Sequence, residues 1–72
     1  MRVRDKYAPE KVLADWRTMN GVLTDMNEAE LLAAIKEEAS RPPDERRKDV
    51  LYRLHRRYCR VRQAREIEEY MA

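Results

Sequence analysis

The sequence predicts an all-α protein, a three-helix arrangement in which two short helices pack on a long C-terminal one. Apolar residues make up 43% of the chain and recur at helical three-to-four spacing. Glycine occurs once, and the strongest breaker is the run "SRPP" at 40–43. Charged residues are 42% of the 72, a share that would suit a disordered chain if the apolar residues were not so regularly placed. A chain of this length is expected to form one helical domain over 1–72, with a core too small to supply more than a few kcal/mol.

The first helix is expected over residues 9–20. Pro9 suits the first helical position, where its missing N–H costs nothing, and Tyr7 is spaced to staple onto Val12. Val12, Leu13, Trp16 and Met19 then share a face, and Gly21 is placed to close the helix in the left-handed conformation.

A second helix is expected over 27–39. Asn27 as N-cap and Glu30 three residues on have capping-box spacing, with Met26 and Leu31 as the staple. Leu31, Leu32 and Ile35 form its stripe, and the first proline of "SRPP" pushes the preceding residue out of the helical region.

The third helix is expected over 43–70, with Asp44 and Glu45 complementing the positive end of its dipole. At about 1.5 Å per residue it outruns what either short helix can cover, so part of it projects or pairs with something else. Val50, Leu51, Leu54, Tyr58 and Val61 form its apolar face. The expected core is Trp16, Leu31, Ile35, Leu54, Tyr58 and Val61. Glu66, Glu68 and Glu69 crowd the negative end of the dipole, an end that frays unless Arg62, Arg65 or a partner compensates.

Net charge is +2, but residues 41–65 alone carry +7, with nine arginines against one lysine, while 9–40 carry −4 and 66–72 carry −3. At about 100° per residue, Arg53, Arg56, Arg57 and Arg60 cluster on a second face of the long helix, with Tyr52, Cys59 and Gln63 along its edge. Arginine favours bidentate contacts with carboxylates or phosphates and is enriched at interfaces. The same residues also serve as an ordinary solvated face, since arginine forms helix well and covers apolar surface with its stem. Tyr52 and Tyr70 lie outside the apolar stripe and are the aromatic interface candidates, whereas Trp16 sits within a stripe and reads as core.

No catalytic residue, metal site or cofactor is expected. His55 and Cys59 adjoin at helical spacing with Glu66 nearby, but Arg62 lies among them and a metal needs three or four ligands with a supporting shell. A Cys–His nucleophile fails because mid-helix amides are used in the ladder and cannot form an oxyanion hole. Cys59 reads instead as a small half-buried side chain and His55 as a flank of the core, and chain length leaves little room for both a core and a preorganised active site.

Direct nucleic-acid binding is opposed by near-neutral overall charge, by acidic segments on both sides of the basic one and by the lack of a recognisable motif; the helix after 21–26 is acidic, which is wrong for a recognition helix. No apolar run approaches membrane-spanning length, no secretory signal is visible at "MRVRDKYAPEK", and the single cysteine allows no internal disulfide, so a cytoplasmic location with no membrane association is expected.

The stretch "LTDMNEAELLAAIKEEASRPPDERRKDVLYRLHRRYCRVRQARE", residues 23–66, resembles small bacteriophage-encoded helical accessory proteins, in which a short capped acidic helix precedes a long basic one of the form R-L-H-x-R-Y. The resemblance carries no residue-level functional motif. It implies a virus-encoded protein, acting in the host cytoplasm, that binds and redirects a host factor such as a nuclease, polymerase or defence complex.

The functional expectation is a non-enzymatic protein-binding module, an inhibitor or adaptor of a host protein complex, engaging its partner through Arg53, Arg56, Arg57, Arg60, Tyr52 and Tyr70. A second copy of the chain is a further candidate partner. The alternative is a nucleic-acid accessory protein using the same arginines on phosphates.

Overall fold

A computed structural model describes residues 2–72. Four α-helices follow one another: α1 (Pro9–Val12), α2 (Trp16–Val22), α3 (Glu28–Ala39) and α4 (Lys48–Met71). Short 3-10 turns at Asp5–Tyr7 and Leu23–Asp25 complete the regular structure, and no strand forms among the described residues. The all-α expectation and the long C-terminal helix packed against shorter ones are borne out, and α3 lies along α4 as its main partner.

The expected first helix is two helices, because the chain breaks at Leu13–Asp15. Asp15 is extended, at φ −157° and ψ 167°, and its side chain accepts a hydrogen bond from the Thr18 N–H at 2.7 Å, so it caps a fresh start at Trp16. The break turns Val12 and Leu13 inward and leaves the Leu13 carbonyl free to accept from Arg47 Nη2 at 3.0 Å. It also swings Trp16 outward to 47% exposure, which corrects its assignment to the core. Gly21 does not close the helix: no residue with positive φ occurs among those described, and α2 runs through it to Val22.

For α3 the expected cap and stop are met. Asn27 accepts from the Glu30 N–H at 2.9 Å, and the Glu30 carboxylate takes the Asn27 N–H at 2.8 Å, a complete capping box. The helix stops at Ala39, before the prolines.

The long helix begins at Lys48, five residues later than expected. Residues 43–45 form a turn in which the Glu45 N–H donates to the Pro42 carbonyl at 2.9 Å, so Asp44 and Glu45 lie outside the first helical turn. Arg47 is held extended, its N–H donating to Glu38 Oε2 at 2.9 Å, and this tertiary bond fixes where the helix can start.

The core is made by Tyr7, Val12, Leu13, Met19, Leu23, Met26, Leu31, Ala34, Val50 and Leu54, with Val22, Ile35, Tyr58 and Val61 packed half-buried against it. Leu31 and Leu54 are central, as expected; Ile35, Tyr58 and Val61 are peripheral.

Two carboxylates, Glu30 and Glu38, are wholly buried within this framework. Arg4 clamps Glu30 from Nε at 2.7 Å and Nη2 at 2.8 Å, while its own N–H donates to the same carboxylate at 2.9 Å. Arg47 does the same for Glu38, with Nη2 at 2.8 Å. The first ion pair ties the N-terminal segment to α3, and the second ties α3 to the start of α4. Buried charges persist only where paired and fully hydrogen-bonded, and both sites meet that condition.

Candidate functional site: the outer face of α4

The arginines that bear on the fold and the site divide into two groups by partner. Arg4, Arg41, Arg47, Arg62 and Arg65 each form an ion pair with a glutamate. Among the described residues, Arg53, Arg56, Arg57 and Arg60 form none, although the chain has carboxylates to spare. Arg53 Nε donates to Asn20 Oδ1 at 3.0 Å and Arg57 Nη2 to the Thr24 carbonyl at 3.2 Å, both neutral oxygens on or beside α2. Arg57 is half-buried and its Nε has no partner, while Arg56 and Arg60 are exposed. The structure brings these four together along one open groove of about 450 Å³ that also reaches Leu23 and Gln63.

This groove runs into a second, of about 530 Å³, lined by Trp16, Lys48, Asp49, Tyr52, Arg53 and Arg56. Trp16 arrives here because Asp15 restarts the helix and aims α2 at the first turns of α4. Tyr52 is 70% exposed beside it. The result is two exposed aromatic rings on one groove with Lys48, Arg53, Arg56 and a single acid, Asp49, and Trp, Tyr and Arg are the residue types that dominate binding hot spots.

Five of the six expected partner-binding residues therefore lie together: Tyr52, Arg53, Arg56, Arg57 and Arg60. Tyr70 does not. It is 82% exposed, but eighteen residues beyond Tyr52 on the same helix, about 27 Å away. There it joins a second exposed apolar group with Ile67 and Met71, on the part of α4 that runs beyond the last tie to α3, where Arg65 Nε meets Glu28 Oε2 at 2.7 Å. Trp16 was missed as a site residue. The sequence signal for it was Asp15 with Thr18 three residues on, an N-cap pattern that ends one helix and starts another.

The acidic end of α4 is compensated by the two arginines beside it. Arg62 pairs with Glu66 at 3.2 Å and Arg65 with Glu69 at 2.8 Å, and the helix continues to Met71. Arg65 is also held by Glu28, and these two carboxylates raise its already high pKa further. His55 and Cys59 do adjoin, with Sγ 3.6 Å from Nε2, but His55 is exposed rather than part of the core flank and Cys59 is half-buried. No cluster of three potential metal ligands forms among the described residues, and no helix there is long and apolar enough to cross a membrane.

The chain matches no family model, no curated protein and no solved structure.

Proposed function

We propose that this protein is a non-enzymatic helical protein-binding module, an inhibitor or adaptor that works by covering a partner's surface. The observation that supports this reading is the presence of exposed Trp16 and Tyr52 in one groove with Arg53 and Arg56, which have no carboxylate partner. A partner fitting this face carries an apolar anchor for the aromatic pair and carboxylates for Arg53, Arg56 and Arg60. Aromatic anchors supply the affinity of such a contact, and the charges set its orientation and encounter rate.

The groove of four arginines favours a second reading, in which it holds nucleic-acid phosphates and the aromatic pair stacks bases. The acidic stretches on α3 and at 66–69 weaken it, since they repel a polyanion that extends beyond the groove.

Capture from bacterial cells separates the two. Tagged protein co-expressed with an untagged copy is recovered with and without nuclease, alongside the Trp16→Ala/Tyr52→Ala and Arg56→Glu/Arg60→Glu variants, each checked for helicity. On the protein-binding reading a protein, whether a cellular one or the untagged copy, is retained after nuclease by the wild type and lost from both variants. Recovery of nuclease-sensitive nucleic acid alone overturns it.

A further inference from the structure

The residues on the outward side of α4 continue past the arginines in a regular pattern. Tyr52, Arg56, Cys59, Gln63, Glu66 and Tyr70 follow one another at alternating intervals of four and three, the spacing that keeps a seam of side chains on one side of a helix. This seam faces away from Val50, Leu54 and Val61, which point into or against the core. Charge along it changes sign: its first half carries Arg56, flanked by Arg53 and Arg60, and its second carries Glu66. Exposed apolar side chains gather at its two ends, Trp16 and Tyr52 at one, Ile67, Tyr70 and Met71 at the other.

We infer that the outer face of α4 pairs with the same face of a second copy, the two helices running antiparallel about a two-fold axis near residue 61. The inference rests on the protein-binding reading above and names the partner. Antiparallel helices join residues whose numbers have a constant total, and one register satisfies the whole seam: Tyr52 meets Tyr70 of the second copy, Arg56 meets its Glu66, and Cys59 meets its Gln63. The two-fold repeats every contact, as an isologous interface must. Ile67 of each copy then reaches the Arg53 side of the other, toward Trp16, so both exposed apolar ends are covered at once. Arg56 of each helix, with Arg53 beside it, lies against Glu66 of its mate, whose second oxygen is free of the Arg62 bridge, and the helix dipoles oppose each other favourably. A parallel pairing in register would set Arg56 on Arg56 and Glu66 on Glu66.

Near the axis each Arg60 faces the other copy's Arg60, and each Arg62 its counterpart, though Arg62 already has Glu66 as a partner. The centre of the seam is thus polar, and its ends carry the contact.

A charge exchange tests both the pairing and its register. Light scattering on purified wild type should give twice the 8.7-kDa chain mass at high micromolar concentration. Arg56→Glu and Glu66→Arg each place like charges opposite one another twice, and each should weaken association about a hundredfold while keeping wild-type helicity. Mixed in equal amounts, the two variants meet through opposite charges at both positions and should return to the doubled mass. As a second readout, oxidation of the Gln63→Cys variant should give a covalent dimer, the introduced thiol of each copy bridging to Cys59 of the other. In the wild type, Cys59 and its counterpart lie about 10 Å apart across the axis, too far to bridge. A wild type monomeric at millimolar concentration, single variants that still dimerise, or a mixture that stays monomeric each overturns the pairing. None of these results touches the protein-binding reading, which falls only on the capture experiment.

Discussion

Glu30 and Glu38 are the two carboxylates that folding buries completely. Arg4 hydrogen bonds hold the Glu30 carboxyl at about 2, against an ordinary value near 4.5, overcoming the burial that pushes the other way. At Glu38 burial also acts to raise the pKa, but the Arg47 guanidinium and backbone N–H outweigh it and the net shift is downward. A carboxylate with a lowered folded pKa contributes stability in full above its unfolded value and loses it as pH falls through the folded one. For Glu30 that window runs from about 4.5 down to about 2. Thermal melts over this range should show a steady loss of stability, and Glu30→Gln should flatten the slope while lowering the melting temperature at neutral pH. Neither carboxylate was singled out as buried from the sequence. Glu30 was placed as a capping residue, and its second role depends on Arg4, which is brought to it only by the path of the N-terminal segment.

Among the elements, α2 decides where Trp16 joins the α4 face, and it is short and owes its start to a single cap. The Thr18 backbone N–H lowers the Asp15 pKa, as expected for a cap that is used ionised. Asp15→Ala should lower stability, read by denaturant unfolding, and should alter Trp16 fluorescence as the start of α2 loosens. The α4 helix shows the opposite balance. Its first half is fixed by core contacts and by Arg47, whereas Arg62–Glu66 and Arg65–Glu69 place the cation before the acid, the weaker of the two orientations. Stability in the second half therefore comes from Glu28 at Arg65 and, in the proposed dimer, from the second copy.

At the scale of the whole molecule the core is small, and the longest dimension of the molecule, 43 Å, is nearly twice the next, 24 Å. An elongated body of this size has little interior, so each buried residue carries a large share of a total of a few kcal/mol. Leu54 is fully buried where α4 meets the core. Leu54→Ala should cost about 2–5 kcal/mol, comparable with the entire stability, and circular dichroism should find the variant largely unfolded at room temperature. The same shape leaves a long helix face uncovered, which is the geometric reason a partner is expected there.

The sequence by itself determined the helical class, the complete capping of α3, its stop at the prolines, the basic outer face of α4 and the nearness of Tyr52 to four arginines. These are consequences of local spacing, and a helix at about 100° per residue turns spacing directly into position. Tertiary structure decided the rest. It set the break that sends Trp16 outward, the late start of α4 and the burial of two glutamates, because each depends on groups far apart in the chain: Leu13 with Arg47, Glu38 with Arg47, Arg4 with Glu30. It also decided which arginines belong to the fold and which remain without a carboxylate, a distinction that composition cannot make because all of them look alike until the glutamates have been placed.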